Sequence, residues 1–214
     1  YPATNYFKAD EDHTFTALIK ASVNENACIM SMDDDTGWHW NTVLYTTATG
    51  IVGYHNAMSG ATDAGSITKT MTYVGTWHHV VLTVTFPTTT SRTMAFYVDG
   101  ALVNTASSAV SAAASAYLVD EGNIGRYHIG VTGSDPLQPP LTGQGSWFDG
   151  AMADARVYDV ALSAASVKEL YDDSKVIIPT KNDATGSSVD QTNLKCWWPM
   201  VDGTGTIAFD GSGS

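Results

Sequence analysis

Trp77-His-His-Val-Val-Leu-Thr-Val-Thr-Phe86 places Val80, Leu82, Val84 and Phe86 at every second position. That two-residue period belongs to a strand with one face in a core. Residues 93–98 then run into Asp99-Gly100, and residues 101–105 return. An Asp-Gly pair between alternating apolar runs is a strong hairpin signal, since both turn positions take positive φ. Toward the N-terminus, residues 14–23 put Phe15, Ala17, Ile19, Ala21 and Val23 on one face. Residues 27–32, 38–47, 51–55 and 67–74 read as further strands, with Asn24-Glu25-Asn26, Asp33-Asp34-Asp35-Thr36-Gly37 and Thr49-Gly50 supplying turn chemistry between the first of them. Residues 107–116 are small and bland, a loop or a weak helix. Toward the C-terminus come a block at 122–130, a Pro/Gly-rich loop at 131–146 and a closing strand at 147–160.

One short helix near 163–172 is expected, with Ser163 as N-cap, Val167, Leu170 and Tyr171 on one face, and Lys168 and Glu169 on the other. The predicted architecture is all-β. Residues 1–175 form the body, 176–193 a connector, and 194–214 a last strand with a Gly/Asp turn. In that last segment Leu194, Cys196, Trp198 and Met200 alternate with Lys195, Trp197 and Pro199. So apolar a segment has to complete a sheet, in its own subunit or in another.

Composition narrows the function. The 214 residues are 43% hydrophobic but only 15% charged, with 22 acidic against 10 basic side chains and a net charge of −12. A nucleic-acid backbone requires clustered Lys and Arg, which this chain lacks, so nucleic acid is excluded as a partner. No apolar run reaches the roughly 18–20 residues of a membrane span, so no membrane insertion is expected. The chain starts at Tyr1 rather than Met, which implies a removed signal peptide, a removed pro-segment or further chain before it. Cys28 and Cys196 are too few for a disulfide scaffold or a zinc site; they are one bridge or two buried thiols. There is no Asn-x-Ser/Thr sequon.

Five separated motifs carry a family resemblance. Gly75-Thr-Trp-His-His-Val-Val-Leu-Thr-Val84, Phe96-Tyr-Val-Asp-Gly100, Ile124-Gly125, Phe148-Asp-Gly-Ala-Met-Ala-Asp-Ala-Arg-Val-Tyr158 with the following Ala-Leu-Ser163, and the helix ending in Leu170-Tyr171 resemble the laminin-G-like, concanavalin-A-like jelly-roll domains. Members of that family often open on a Trp-Trp-Pro-Leu segment and a Gly-Ser-Gly turn. The matching Trp197-Trp198-Pro199-Met200 and Gly203-Thr204-Gly205 stand here at the C-terminus, so the opening strand is displaced. The resemblance implies a sandwich of two antiparallel sheets and not, by itself, a function.

Candidate sites are few. Asp33, Asp34 and Asp35, like Asp10-Glu11-Asp12, supply the oxygen donors that calcium takes, though without EF-hand spacing. No cofactor is required; calcium is the one ion these loops suit. Trp38 and Trp40 flank His39 and share a face on which a sugar ring could stack, while the plainer reading has one in the core and one at the rim. His78 and His79 are adjacent in a strand, point to opposite faces and cannot share a metal. Arg156 is read as the ion-pair partner of a nearby Asp. The only glutamates are Glu11, Glu25, Glu121 and Glu169. None has the close carboxylate spacing that glycoside hydrolysis on this sandwich requires, so no enzyme is expected.

The expected function is a non-catalytic structural protein at an extracellular, cell or virion surface. It assembles as a homo-oligomer or homopolymer by donating the strand of Leu194, Cys196, Trp197, Trp198 and Met200 to a neighbouring sandwich, which generates open filaments. The alternative is a carbohydrate-binding or adhesion module for a glycan ligand, with the tail folded back as a circular permutation.

Overall fold

The computed structural model describes residues 7–8, 10–33, 41–56, 64–110, 118–119, 121–124, 147–177 and 193–198. In chain order the elements are β1 (Phe7–Lys8), β2 (His13–Ala21), β3 (Ala27–Asp33), β4 (Asn41–Thr47), β5 (Gly50–Asn56), β6 (Ala64–Thr70), β7 (His78–Thr88), β8 (Ser91–Val98) and β9 (Ala101–Ala109). After them come β10 (Leu118–Val119), β11 (Glu121–Ile124), β12 (Gly150–Tyr158), α1 (Ala164–Ile177) and β13 (Leu194–Trp198). One antiparallel sheet has six strands in the order β13-β12-β2-β7-β8-β9, the other five in the order β11-β3-β4-β5-β6, and β1 pairs with β10. The two-sheet antiparallel sandwich with one helix is as expected.

Alternation builds the core. Phe15, Ala17, Ile19, Val80, Leu82, Val84, Phe96 and Val157 from one sheet meet Ile29, Met30, Leu44, Ile51 and Ile67 from the other, all buried. Gly53 lets the sheets close up: a methyl group there would stand 2.9 Å from Leu82 Cδ1. The opposite face of the six-stranded sheet is roofed by α1, whose Val167 packs on Val81 and Tyr97 and whose Leu170 packs on Tyr158. Ser163 caps the helix, accepting the Ser166 N–H at 3.1 Å. Asp99 and Gly100 make the predicted turn with φ of 53° and 74°. Gly100 also leaves room for the Tyr171 ring, which would stand 2.7 Å from an added Cβ.

Several details differ from the sequence reading. Residues 107–109 belong to β9 rather than to a loop or helix; this is an edge strand with most of its residues exposed, so it carries little apolar signal. Tyr158 is buried under the helix, because it follows Val157 and therefore faces the other way. Val23 is exposed beyond the end of β2. The helix runs on to Ile177, past the predicted end near 172 and into the expected connector.

The displaced strand is placed within its own chain. The sequence reading favours donation to a neighbour; in the structure β13 completes its own subunit's sheet on the edge of β12. The fifteen residues 178–192 can span roughly 50 Å, ample for this return. Nor does the strand alternate simply. Trp198, Trp197 and Cys196 stand opposite Ala155, Arg156 and Val157, but Leu194 stands opposite Tyr158, leaving Lys195 as a bulge. Leu194 therefore joins Tyr158 and Leu170 on the helix side, while Lys195 pairs with Asp159 Oδ2 at 2.8 Å. Met200 lies outside the described residues. Cys28 is a buried thiol on the outer face of the five-stranded sheet, beside Val43, Tyr45, Val52 and Tyr54.

A second bulge, where β12 passes β2, gives Asp154 a φ of 51° and sets it on the same side as Arg156. Arg156 Nη2 lies 2.7 Å from Asp154 Oδ1, with both side chains almost wholly buried, which is the ion pair read from the sequence. Asp154→Asn tolerates the positive φ but leaves the guanidinium without this carboxylate. Urea unfolding is expected to show a loss of about 3 kcal/mol or more.

Candidate functional site

Strand directions gather one end of the sandwich into a site. Glu121, Asp33, Asn41, Asn56 and Ala64 stand side by side in consecutive ladder pairs across the five-stranded sheet. Strands repeat every 4.7–4.9 Å or so, which makes the row from Glu121 to Asn56 about 14 Å long. Segment 34–40, which holds Asp34, Asp35, Trp38 and Trp40, joins β3 to β4 at this end, and segment 57–63 joins β5 to β6. Those four candidate residues lie outside the described residues. Of the acidic triplet only Asp33 is placed, as the last residue of β3.

Under the row the sheets are joined by a buried polar cluster. Arg92 of β8 is fully buried; its Nη1 donates to His55 Nδ1 at 2.6 Å and to the His55 carbonyl at 3.0 Å, and its Nε donates to Ser108 at 3.0 Å. His13 of β2 crosses to the other sheet and meets Thr42 at 2.8 Å through Nε2, while its Nδ1 reaches the Glu11 carbonyl at 2.8 Å. The carbonyl can only accept, so Nδ1 carries the proton and Thr42 donates to Nε2. Guanidinium donation to His55 likewise requires a lone pair on its Nδ1. The His13 and His55 rings lie 5.3 Å apart. Two inter-sheet links, Arg92–His55 and His13–Thr42, thus tie the sheets together at this end.

Burial keeps these rings neutral. It lowers His13 to about 4, the nearby Arg92 charge adding to the effect while the Glu11 carbonyl opposes it. His55 falls well below the ordinary value through burial, then through the Arg92 and His13 charges. Neither histidine nor Arg92 was singled out in the sequence. The three lie 37 or more residues apart and form no spaced motif; the one available signal is that His13 continues the inward parity of Phe15 and Ala17.

The remaining sequence candidates fall elsewhere. His79, under the helix, bonds Thr16 at 2.7 Å and stacks on Tyr171; burial and then Arg156 lower it to about 3. His78 pairs with Asp99 at 2.9 Å. The two histidines have separate partners within the sheet framework. Among the described residues no three His, Cys, Asp or Glu side chains stand together as a metal set, and no helix is long and apolar enough to cross a membrane.

The chain matches the Laminin_G_3 family model, described as the concanavalin A-like lectin/glucanases superfamily, over residues 2–168. Its fold is similar to a putative carbohydrate binding protein from Bacteroides ovatus, with TM-score 0.58 and 19% identity over 95% of this chain and 50% of that one. It is also similar to a native heptameric SAP-like pentraxin from Limulus polyphemus, with TM-score 0.51 and 17% identity over 75% and 70% of the two chains. Domains LG4-5 of the mouse laminin α1 chain give TM-score 0.51 and 15% identity over 72% and 36%. At these identities the likeness is one of fold. The chain spans half of the Bacteroides protein and about a third of the laminin fragment. No curated protein matches it in sequence.

The neutral histidines make stability depend on pH. The unfolded chain binds their protons below the ordinary histidine value of about 6.5, and the folded chain does so only near 4 for His13 and near 3 for His79. Stability is therefore intact above that value and falls as pH drops, by about 1.4 kcal/mol per pH unit for each such ring. Urea midpoints between pH 7 and pH 4 should show this slope, and His79→Gln should reduce it by one ring's share.

Proposed function

We propose, from the premise that this chain belongs to the concanavalin A-like lectin/glucanases superfamily, that it is a non-catalytic carbohydrate-binding module of an extracellular, cell-surface or virion-surface protein. One observation carries the reading: the Glu121–Asp33–Asn41–Asn56 row, with acid and amide residues from four strands, lies at the end where segments 34–40 and 57–63 connect. Carboxylates and amides are the groups that fix sugar hydroxyls, and the cross-linked floor of His13, Thr42, His55 and Arg92 holds the strands that present them. The fold relatives add support, since one of them is described as a putative carbohydrate binding protein.

Non-catalytic action is supported by the scarcity of glutamate. Glu11, in the segment before β2, and Glu169, on α1, are both exposed, and the buried Asp154 is committed to Arg156. Calcium is the ion that Asp33, Asp34 and Asp35 suit by chemistry, since hard cations take several oxygen donors.

A finer reading keeps self-assembly. β13 is an edge strand of five residues, held by its ladder to β12, the Leu194 contacts and the Lys195–Asp159 pair. A second copy can supply the same ladder, making a homo-oligomer by strand exchange. Under that reading, native mass grows with protein concentration, and a chain that stays monomeric at high concentration removes it.

The binding reading is tested by titrating a panel of neutral and anionic oligosaccharides, in calcium and in EDTA. Asn41→Ala with Asn56→Ala is expected to weaken the best ligand about tenfold or more at unchanged melting temperature. Binding lost in EDTA assigns calcium to the site, whereas binding kept in EDTA assigns recognition to side chains alone. A wild-type chain that binds no glycan overturns the reading.

A further inference from the structure

β9 stands at the edge of the six-stranded sheet remote from β13. Its partners on β8 run from Ala101–Val98 to Ala109–Ser91 with one bulge, at Val103, so residues 104–109 form a regular stretch. Beyond it the Val110 N–H donates to the Thr90 carbonyl at 3.0 Å. Antiparallel neighbours alternate between pairs that exchange two hydrogen bonds and pairs that turn theirs outward. Counted back from Val110, Ser108 and Ala106 bond to β8, while Ala109, Ser107 and Thr105 turn N–H and C=O to the open side. Thr105 agrees with this phase: its N–H is held by Asn104 Oδ1 at 2.9 Å rather than by β8.

An open edge of this kind accepts a further strand unless something blocks it. The other three edges of the two main sheets each carry a charged side chain: Glu121 on β11, Lys69 on β6 and Lys195 on β13. β9 has no charged residue and no proline, and Asn104, Thr105, Ser107 and Ala109 are exposed. Charge decides which strand arrives. The chain carries −12 overall, so copies repel one another, and an uncharged edge is where two of them can touch with no like charges opposed. A second β9 related by a two-fold axis runs antiparallel to the first. With the axis at Ser107 the pairs are Ser107–Ser107, Thr105–Ala109 and Ala109–Thr105, which employs the outward groups of all three residues. An axis at Thr105 would instead set Ser107 against the Val103 bulge.

We propose that β9 is a self-association edge: two copies pair residues 104–109 antiparallel about a two-fold axis at Ser107 and join their six-stranded sheets into one. Thr105 then exchanges the Asn104 side chain for a carbonyl of the partner strand. The contact presents the same surface from both sides, so it closes at a dimer. Strand exchange through β13 uses the opposite edge and plays no part in it. One ladder is small beside the roughly 800 Å² per partner of a stable complex, which places the dimer in the micromolar range or weaker.

Sedimentation equilibrium of the full chain from about 5 to 500 µM is the test. Mass should rise from one chain to a plateau at two, and association should be tighter in ~300 mM salt than in ~20 mM, because screening weakens repulsion between acidic chains. Ser107→Lys opposes two like charges at the axis and should weaken the dimer about tenfold or more. Its melting temperature should match the wild type, because Ser107 is exposed and its hydroxyl meets the Thr93 hydroxyl at the surface, at 2.9 Å. Ser107→Glu should act likewise, and an equimolar mixture of the two variants should associate again. A wild type that stays monomeric throughout, a mixture that associates no better than either variant alone, or association that Ser107→Lys leaves unchanged overturns the proposal. In the last case, mass growing past two chains assigns the association to β13.

Discussion

β7 is buried on both faces, and most of the architecture follows from that. From His79 to Val84 every residue is buried, with Val80, Leu82 and Val84 turned to the other sheet and Val81 turned to the helix. A strand covered on two sides cannot leave polar groups to water, so its neighbours have to satisfy them. Asp99 accepts the His79 N–H at 3.0 Å and Thr16 meets the His79 ring. The turn that presents Asp99 also provides Gly100, on which the helix residue Tyr171 sits. The turn, the helix position and the sandwich are thus one solution to the burial of a single strand.

The same constraint explains what could be read from the sequence. β7, the Asp99-Gly100 hairpin and the Ser163 cap announce themselves because short-range chemistry dictates each of them: a two-residue period, positive φ, and unsatisfied N–H groups at a helix start. The bulges do not. Asp154 and Lys195 each shift a ladder by one residue, and a shift of one changes the face of every residue beyond it. Strict alternation therefore groups Leu194 with Cys196 and Trp198, whereas the structure sets Leu194 on the helix side. The far end of β9, residues 106–109, is missed for a different reason: an edge stretch of Ala and Ser carries little apolar signal.

The candidate site was less legible than the fold. Asp33 could be singled out by composition, but its register beside Glu121, Asn41 and Asn56 depends on long-range pairing. The Arg92–His55 and His13–Thr42 links depend on two sheets meeting at one end. Their burial is costly in isolation, since a guanidinium out of water needs close partners. The His55 ring and carbonyl and the Ser108 hydroxyl are among those partners. A cluster of this kind stiffens the end of the sandwich that holds it.

The order of the chain adds a last consequence. β12 lies second from the edge of its sheet, with β2 on one side and β13 on the other. Before β13 docks, the Ala155–Tyr158 edge presents unpaired backbone groups, flanked by the apolar Tyr158 and Val157 side chains. Such an edge accepts any compatible strand. When the body has formed, the copy that arrives first is the one carried on the same chain, because a tether of fifteen residues keeps its local concentration in the millimolar range. Closure within the subunit is therefore favoured at ordinary protein concentration. The β12–β13 pairing in the structure is the occupancy of that edge which the tether favours.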